Sequence, residues 1–294
     1  MKKNIIITAA VCLALGAAMD HILLMGAAPA TAPASTTPTY TMPNNEPGQG
    51  GMGAPSQERL KSSPRHAEMI DIKVTGQEKP LKAMIVHPQR ADKAPVVICI
   101  MEVFGMSDWV KSTTDQLAAD GFIAIAPDFT SLKTGTVATG QMTATQGITA
   151  DMVTTECNAV RDYALKLPNC NGKSATVGFC WGGGMSFSYA AAQPDLNAAV
   201  VFYGQPPADD LLAKVKAPVA GFYGGNDARI TATVTPTTAT MKKLEKTYEP
   251  HVYDGAGHGF MRAQTAGANE KAAKEAWPLV IKFLKEHTEA DAPK

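Results

Sequence analysis

The sequence predicts an α/β fold, with a mostly parallel central sheet flanked by helices on both faces. Three observations point there. Short apolar runs rich in Val, Ile and Phe recur at residues 95–101, 122–126, 175–179, 198–203 and 219–223, each bounded by turn residues. Runs of that length and composition suit strands buried on both faces. Helix-like stretches separate them at 107–120, 150–167, 183–192 and 236–246, and a last one covers 268–287. Strands alternating with helices make a parallel sheet the economical arrangement. Ahead of these runs, 67–74 and 81–87 alternate apolar and polar residues, the pattern of half-buried antiparallel strands.

The chain has 294 residues, and 27 Lys+Arg balance 27 Asp+Glu, so its formal net charge is zero. Without a net positive field it has little pull on phosphate backbones, and no nucleic-acid partner is expected. An apolar content of 45% excludes a disordered chain and provides for a substantial core. Five Cys are too few for a disulfide scaffold and lack paired metal-ligand spacing. Cys157 and Cys170 lie close enough in sequence to permit a disulfide in an oxidising compartment.

The N-terminus has a character of its own. Lys2 and Lys3 precede an apolar stretch from Ile5 to Ala18, so residues 1–26 read as a secretory signal. Asp20 and His21 interrupt the apolar run before Ile22, and an uncleaved anchor over both pieces is the alternative. No twin-arginine pair is present, which favours general secretion, so an exported, bacterial periplasmic protein is expected. Membrane contact is expected only for the anchored form. Residues 27–64 are rich in Ala, Pro, Thr, Gly and Ser and read as a disordered tether. The folded domain is expected over 65–288, with a short tail at 289–294.

In open parallel sheets, ligands sit beyond the carboxyl ends of the strands. The strand at 175–179 runs into Gly178-Phe179-Cys180-Trp181-Gly182, a G-x-nucleophile-x-G elbow with Cys where Ser is usual. Glycines are needed there because a strand turning sharply into a helix brings backbones too close for side chains. Cys180 would sit at a helix N-terminus, whose dipole favours a thiolate, and the Trp181 N–H would face a developing oxyanion. Asp227 follows the strand at 219–223, and His258 follows a strand near 251–253. Nucleophile, acid, histidine is the α/β-hydrolase order, with His258 as base and Asp227 fixing its tautomer. Asp254 and Asp128 compete for the acid's place. His21, His66, His87, His251 and His287 read as leader, surface or packing residues, and Ser186 falls too far into the helix for a nucleophile.

Gly178-Phe179-Cys180-Trp181-Gly182-Gly183, Gly224-Gly225-Asn226-Asp227 and Gly257-His258-Gly259-Phe260 resemble the dienelactone hydrolase family. The likeness extends to Ile100-Met101-Glu102-Val103-Phe104-Gly105 and Ala126-Pro127-Asp128, colinear over about residues 67–287. The resemblance implies an α/β-hydrolase fold and a Cys-His-Asp triad, with no metal or organic cofactor. It implies a cysteine-dependent hydrolase of a small-molecule lactone or carboxylic ester, possibly one bearing a carboxylate. By the same resemblance Glu102 touches the resting thiol, Val103 supplies a second oxyanion-hole N–H, and Arg262 grips a substrate carboxylate. Read from spacing alone, Glu102 and Arg262 are a strand-end glutamate and a surface arginine. The family's second carboxylate-binding arginine has no counterpart in Phe129-Thr130-Ser131-Leu132-Lys133, where Lys133 offers a point charge in place of a fork. The alternative reading is a non-catalytic or redox-active binding protein that keeps the fold.

Overall fold

A computed structural model describes residues 54–134, 143–263 and 267–289. The expected leader, most of the expected tether and residues 290–294 lie outside the described residues. Eight strands form one sheet in the order β1-β2-β4-β3-β5-β6-β7-β8. The antiparallel start is β1 (Ala67–Ile72) and β2 (Leu81–Val86), and β2 pairs antiparallel with β4 (Ile123–Pro127). From there β3 (Ala94–Ile100), β5 (Cys170–Phe179), β6 (Ala198–Phe202), β7 (Val219–Gly224) and β8 (Tyr248–Tyr253) run parallel. Every residue of β3, β4, β6 and β7 is buried, as their unbroken apolar runs require. β2, flanked by β1 and β4, is buried at all but one position and so departs from the half-buried alternation expected of it, while β1 at the sheet edge is exposed over most of its length.

Between the strands lie α2 (Asp108–Ala119), the short α3 (Ser131–Thr134), α4 (Ala150–Ala164), α5 (Trp181–Ala192), the short α6 (Asp209–Leu212) and α7 (Ala228–Thr231), α8 (Val234–Lys243) and finally α9 (Ala268–Thr288). Local chemistry sets where two of them begin. The Ser107 and Thr149 hydroxyls accept from the N–H groups of Val110 and Met152, capping α2 and α4.

One further expectation is corrected, and one question left open by the sequence is answered. Residues 54–62, read as part of the tether, form a helix, α1 (Ala54–Ser62). Polar bonds hold it: Gln57 Nε2 donates to Asp108 Oδ2 at 2.9 Å and Arg59 Nη2 to Gln116 Oε1 at 2.7 Å. An apolar-content argument is blind to such anchors. Cys157 and Cys170 are both free thiols, so the structure holds no bridge between them.

An aromatic ladder crosses the carboxyl ends of the strands. Phe179, Phe202 and Phe222 occupy matched positions on β5, β6 and β7 and stack with centroids 4.9 Å apart at each step. His251 of β8 continues the stack over Phe222 at 4.9 Å. These wide apolar rings hold the strand ends in register directly beneath the loops that leave them.

Candidate active site

The turn from β5 into α5 is built around missing side chains. A Cβ on Gly178 would lie 1.9 Å from the Gly182 carbonyl oxygen, and one on Gly182 would lie 2.4 Å from those of Ile100 and Met101. Backbone on both sides makes these contacts unavoidable. Cys180 pays for the sharp turn with φ 57° and ψ −117°, a conformation a non-glycine residue rarely adopts. Its N–H donates to the Phe202 carbonyl at 3.0 Å, and its own carbonyl accepts from Gly184 N at 3.2 Å. The sulfur is therefore held over the sheet on a rigid mount.

Two further loops meet it. His258 follows β8, and its Nε2 lies 3.1 Å from Cys180 Sγ. Its Nδ1 lies 2.5 Å from Asp227 Oδ2, at the end of β7. The acid and histidine loops are tied together by Asn226, whose N–H donates to Ala256 O and whose amide donates to Gly255 O. Gly257 N donates to Asn269 Oδ1 at 2.8 Å, anchoring the histidine loop to the start of α9. Of the competing carboxylates, Asp128 instead accepts from Thr130 N and Oγ1. Asp254 is exposed on the turn before His258.

Glu102, just past β3, is fully buried beside Arg262, whose Nε donates to Glu102 Oε2 at 2.9 Å. The Arg262 guanidinium also lies over the Phe104 ring at 4.8 Å. Burial raises the Glu102 carboxyl, and Arg262 opposes that shift. Burial likewise pushes the Cys180 thiol up, Glu102 pushes it further, and the result is about 11. The Trp181 N–H, Arg229 and Arg262 pull the other way without prevailing. Cys180 thus rests as a neutral thiol, against the thiolate expected at a helix N-terminus. One backbone N–H and two arginines do not offset lost solvation plus a nearby carboxylate. The glutamate's hydrogen bond goes to Arg262, so it acts on the thiol through charge.

A cavity of about 430 Å³ opens on this group, lined among others by Val103, Cys180, Trp181, Tyr203, Arg229 and His258. Arg262 and Lys133 are not among its described lining residues; Lys133 donates to the Gln146 carbonyl. Tyr203 is a site residue that the sequence does not single out. It follows β6 with φ 39°, is buried, and sets its ring edge-on to His258 at 5.1 Å between centroids. The sequence hides it at the end of the apolar run 198–203, and only the end of β6 at Phe202 sets it in the loop. The remaining histidines in the described residues pack or face solvent: His66 near Glu68, His87 against Asn169, His251 in the ladder, His287 on Phe283. Ser186 is buried and donates to the Val200 carbonyl. Among the described residues no group of three or more His, Cys, Asp or Glu is placed to hold a metal ion.

The family model "Dienelactone hydrolase family" matches residues 81–288. A Salmonella typhimurium protein named "Putative carboxymethylenebutenolidase" is 29% identical over 260 residues, covering 80% of this chain and 92% of its own length. One of the same name from Methylorubrum extorquens is 28% identical over 237 residues, covering 74% and 80%. The crystal structure of a "Putative Dienelactone Hydrolase" from Klebsiella pneumoniae superposes with a TM-score of 0.67 at 27% identity, over 76% of this chain and 99% of that one. A family match from β2 through α9, together with a fold that superposes on the Klebsiella pneumoniae structure, decides the matter: the chain belongs to the dienelactone hydrolase family of ester- and lactone-cleaving hydrolases.

Proposed function

We propose that the chain hydrolyses a small-molecule carboxylic ester or lactone through a thioacyl-enzyme, with Cys180 as nucleophile. The observation that carries this reading is the continuous line from Cys180 Sγ through His258 to Asp227, at 3.1 and 2.5 Å. Sulfur attacks the carbonyl carbon while its proton passes to His258 Nε2, and Asp227 holds the imidazole in the required tautomer. The carbonyl oxygen takes up the negative charge and is received by the N–H groups of Trp181 and Val103. His258 then protonates the leaving oxygen as the C–O bond breaks. Water attacks the thioester with His258 as base, releasing the acid and restoring the thiol. The His258 side chain is 34% exposed, which gives that water a route in.

The neutral resting thiol sets a requirement. Glu102 disfavours the thiolate, so Arg262's hold on that carboxylate, or its disturbance by an arriving substrate, adjusts the nucleophile. Arg262 remains the candidate for a carboxylate on the substrate near this pair, and an exported setting remains the expectation for the leader-bearing chain. The test is initial rates on p-nitrophenyl acetate and on dienelactone, wild type beside Cys180→Ala and His258→Ala. Each substitution is expected to lower kcat at least about a thousandfold. Wild-type turnover in Cys180→Ala would sink the thioacyl route.

A further inference from the structure

His258 hangs on a loop with little stiffness of its own. Gly257 and Gly259 flank it, and the chain passes through the left-handed region at Gly255 (φ 77°) and Gly259 (φ 75°). Glycine has the most backbone freedom to lose, so such a loop keeps one shape only where other elements hold it. A misplacement of about 1 Å at a reacting group costs on the order of a hundredfold in rate. The base therefore needs a restraint from outside its loop.

Asn226 holds Gly255 and Ala256, ahead of the histidine. Beyond them the restraint comes from the first turn of α9. A Cβ on Gly255 would lie 3.1 Å from that of Ala268, so the helix begins hard against the loop. Asn269 Oδ1 accepts from Gly257 N at 2.8 Å, and Asn269 Nδ2 donates to the Ala263 carbonyl at 2.8 Å. One amide thus grips the residue before His258 and the residue after Arg262. Between the two grips Arg262 N and Ala263 N donate to Gly259 O, which closes a turn. Phe260 is buried there among Phe202, Tyr203 and Tyr253. The loop is seated by an aromatic ring on its apolar side and by Asn269 at its two polar ends. Asn269 is not among the described lining residues of the cavity.

We propose that Asn269 is a positioning residue for the reaction, its side-chain amide setting His258 where it can pass a proton between Cys180 and the substrate. The inference rests on the hydrolase reading above and assigns one more residue to the same site. Oδ1 holds the N–H adjoining His258, and so fixes where Nε2 meets the sulfur at 3.1 Å and where Nδ1 meets Asp227. Nδ2 holds the far end of the loop, which carries Arg262 to Glu102. Removing the amide gives up both grips and lets the histidine drift. The elbow and the cavity floor, built on β5 and α5, keep their own supports.

The experiment sets Asn269→Ala and Asn269→Asp beside wild type. Initial rates on p-nitrophenyl acetate give kcat and KM, and thermal melting shows that each variant is folded at the assay temperature. Proton NMR follows the far-downfield resonance of the His258 Nδ1–H held by Asp227, assigned by its absence from His258→Ala. In Asn269→Ala, kcat is expected to fall about tenfold or more with KM within about twofold of wild type, and the resonance to weaken or vanish. Asn269→Asp keeps the acceptor for Gly257 N and loses the donor to Ala263, so it should lie between the two. Where wild type turns over, both effects are required. A kcat that stays at the wild-type value, or one that falls with the resonance intact, overturns the Asn269 assignment and leaves the hydrolase reading standing. If Asn269→Ala does not fold, Asn269→Asp is judged by the same two readouts. No turnover by wild type removes the hydrolase reading, and the resonance then decides: its loss in the variant upholds the placement of His258 by Asn269, and its persistence overturns it.

Discussion

Glu102 holds a carboxyl group under the thiol, and the sign of its influence can be worked out. Its charge helps raise Cys180 to about 11, while Arg262, which it binds, works in the opposite direction. Glu102→Gln removes the first influence and leaves Arg262 less neutralised, so both changes lower the thiol pKa. The rate of Cys180 alkylation by iodoacetamide, followed against pH, should therefore turn upward about one unit lower in the variant. An unshifted profile would mean that burial alone sets the thiol. Cys180, Asp227 and His258 are legible in the sequence because each follows its own strand and glycines mark the turns. Tyr203 and Arg229 are not, because a tyrosine ending an apolar run looks like strand and an arginine on a short helix looks like surface. Only the fold brings them to the cavity.

Elements held by apolar patterning are the ones the sequence reveals. β3, β4, β6 and β7 are continuous apolar runs and fall within a residue or two of where periodicity puts them. β5 begins earlier than expected, at Cys170, because Asn171, Gly172 and Lys173 extend it with polar residues. α1 is the larger surprise, since charge and hydrogen bonding replace an apolar stripe. Next to it Arg65 reaches Asp115 of α2 through Nε and Nη2 at 2.9 and 2.6 Å, with both side chains largely buried. Removing one partner of such a pair strands the other's charge. Arg65→Ala should cost about 3 kcal/mol of unfolding free energy, read as a lower denaturant midpoint. A midpoint within error of wild type would show the pair to be dispensable.

At the scale of the whole molecule, buried carboxyls make stability depend on pH. Glu156 on α4 is buried, its Oε2 has no hydrogen-bond partner, and Asp128 lies near enough to oppose its ionisation. Burial first, then Asp128, raises it from 4.5 to about 8. The folded state therefore keeps a proton that the unfolded chain releases above about pH 4.5. Across that window, up to about 8, stability from this group falls as pH rises. Glu156→Gln, which cannot ionise, should match wild type near pH 5 and exceed it by on the order of 3 kcal/mol near pH 9. A constant gap in Tm across that range would place the pH dependence elsewhere. α9 acts at the same scale. It packs on β5, β6 and β7, and Trp277 Nε1 reaches Asp120 at the end of α2, while Asn269 at its start steadies the histidine loop. α9, which follows every strand of the sheet in sequence, thus closes the centre of the sheet and braces the base of the reaction. A nascent chain carries Cys180 about ninety residues before it owns the helix that completes the site, so a reactive thiol emerges long before the machinery that governs it.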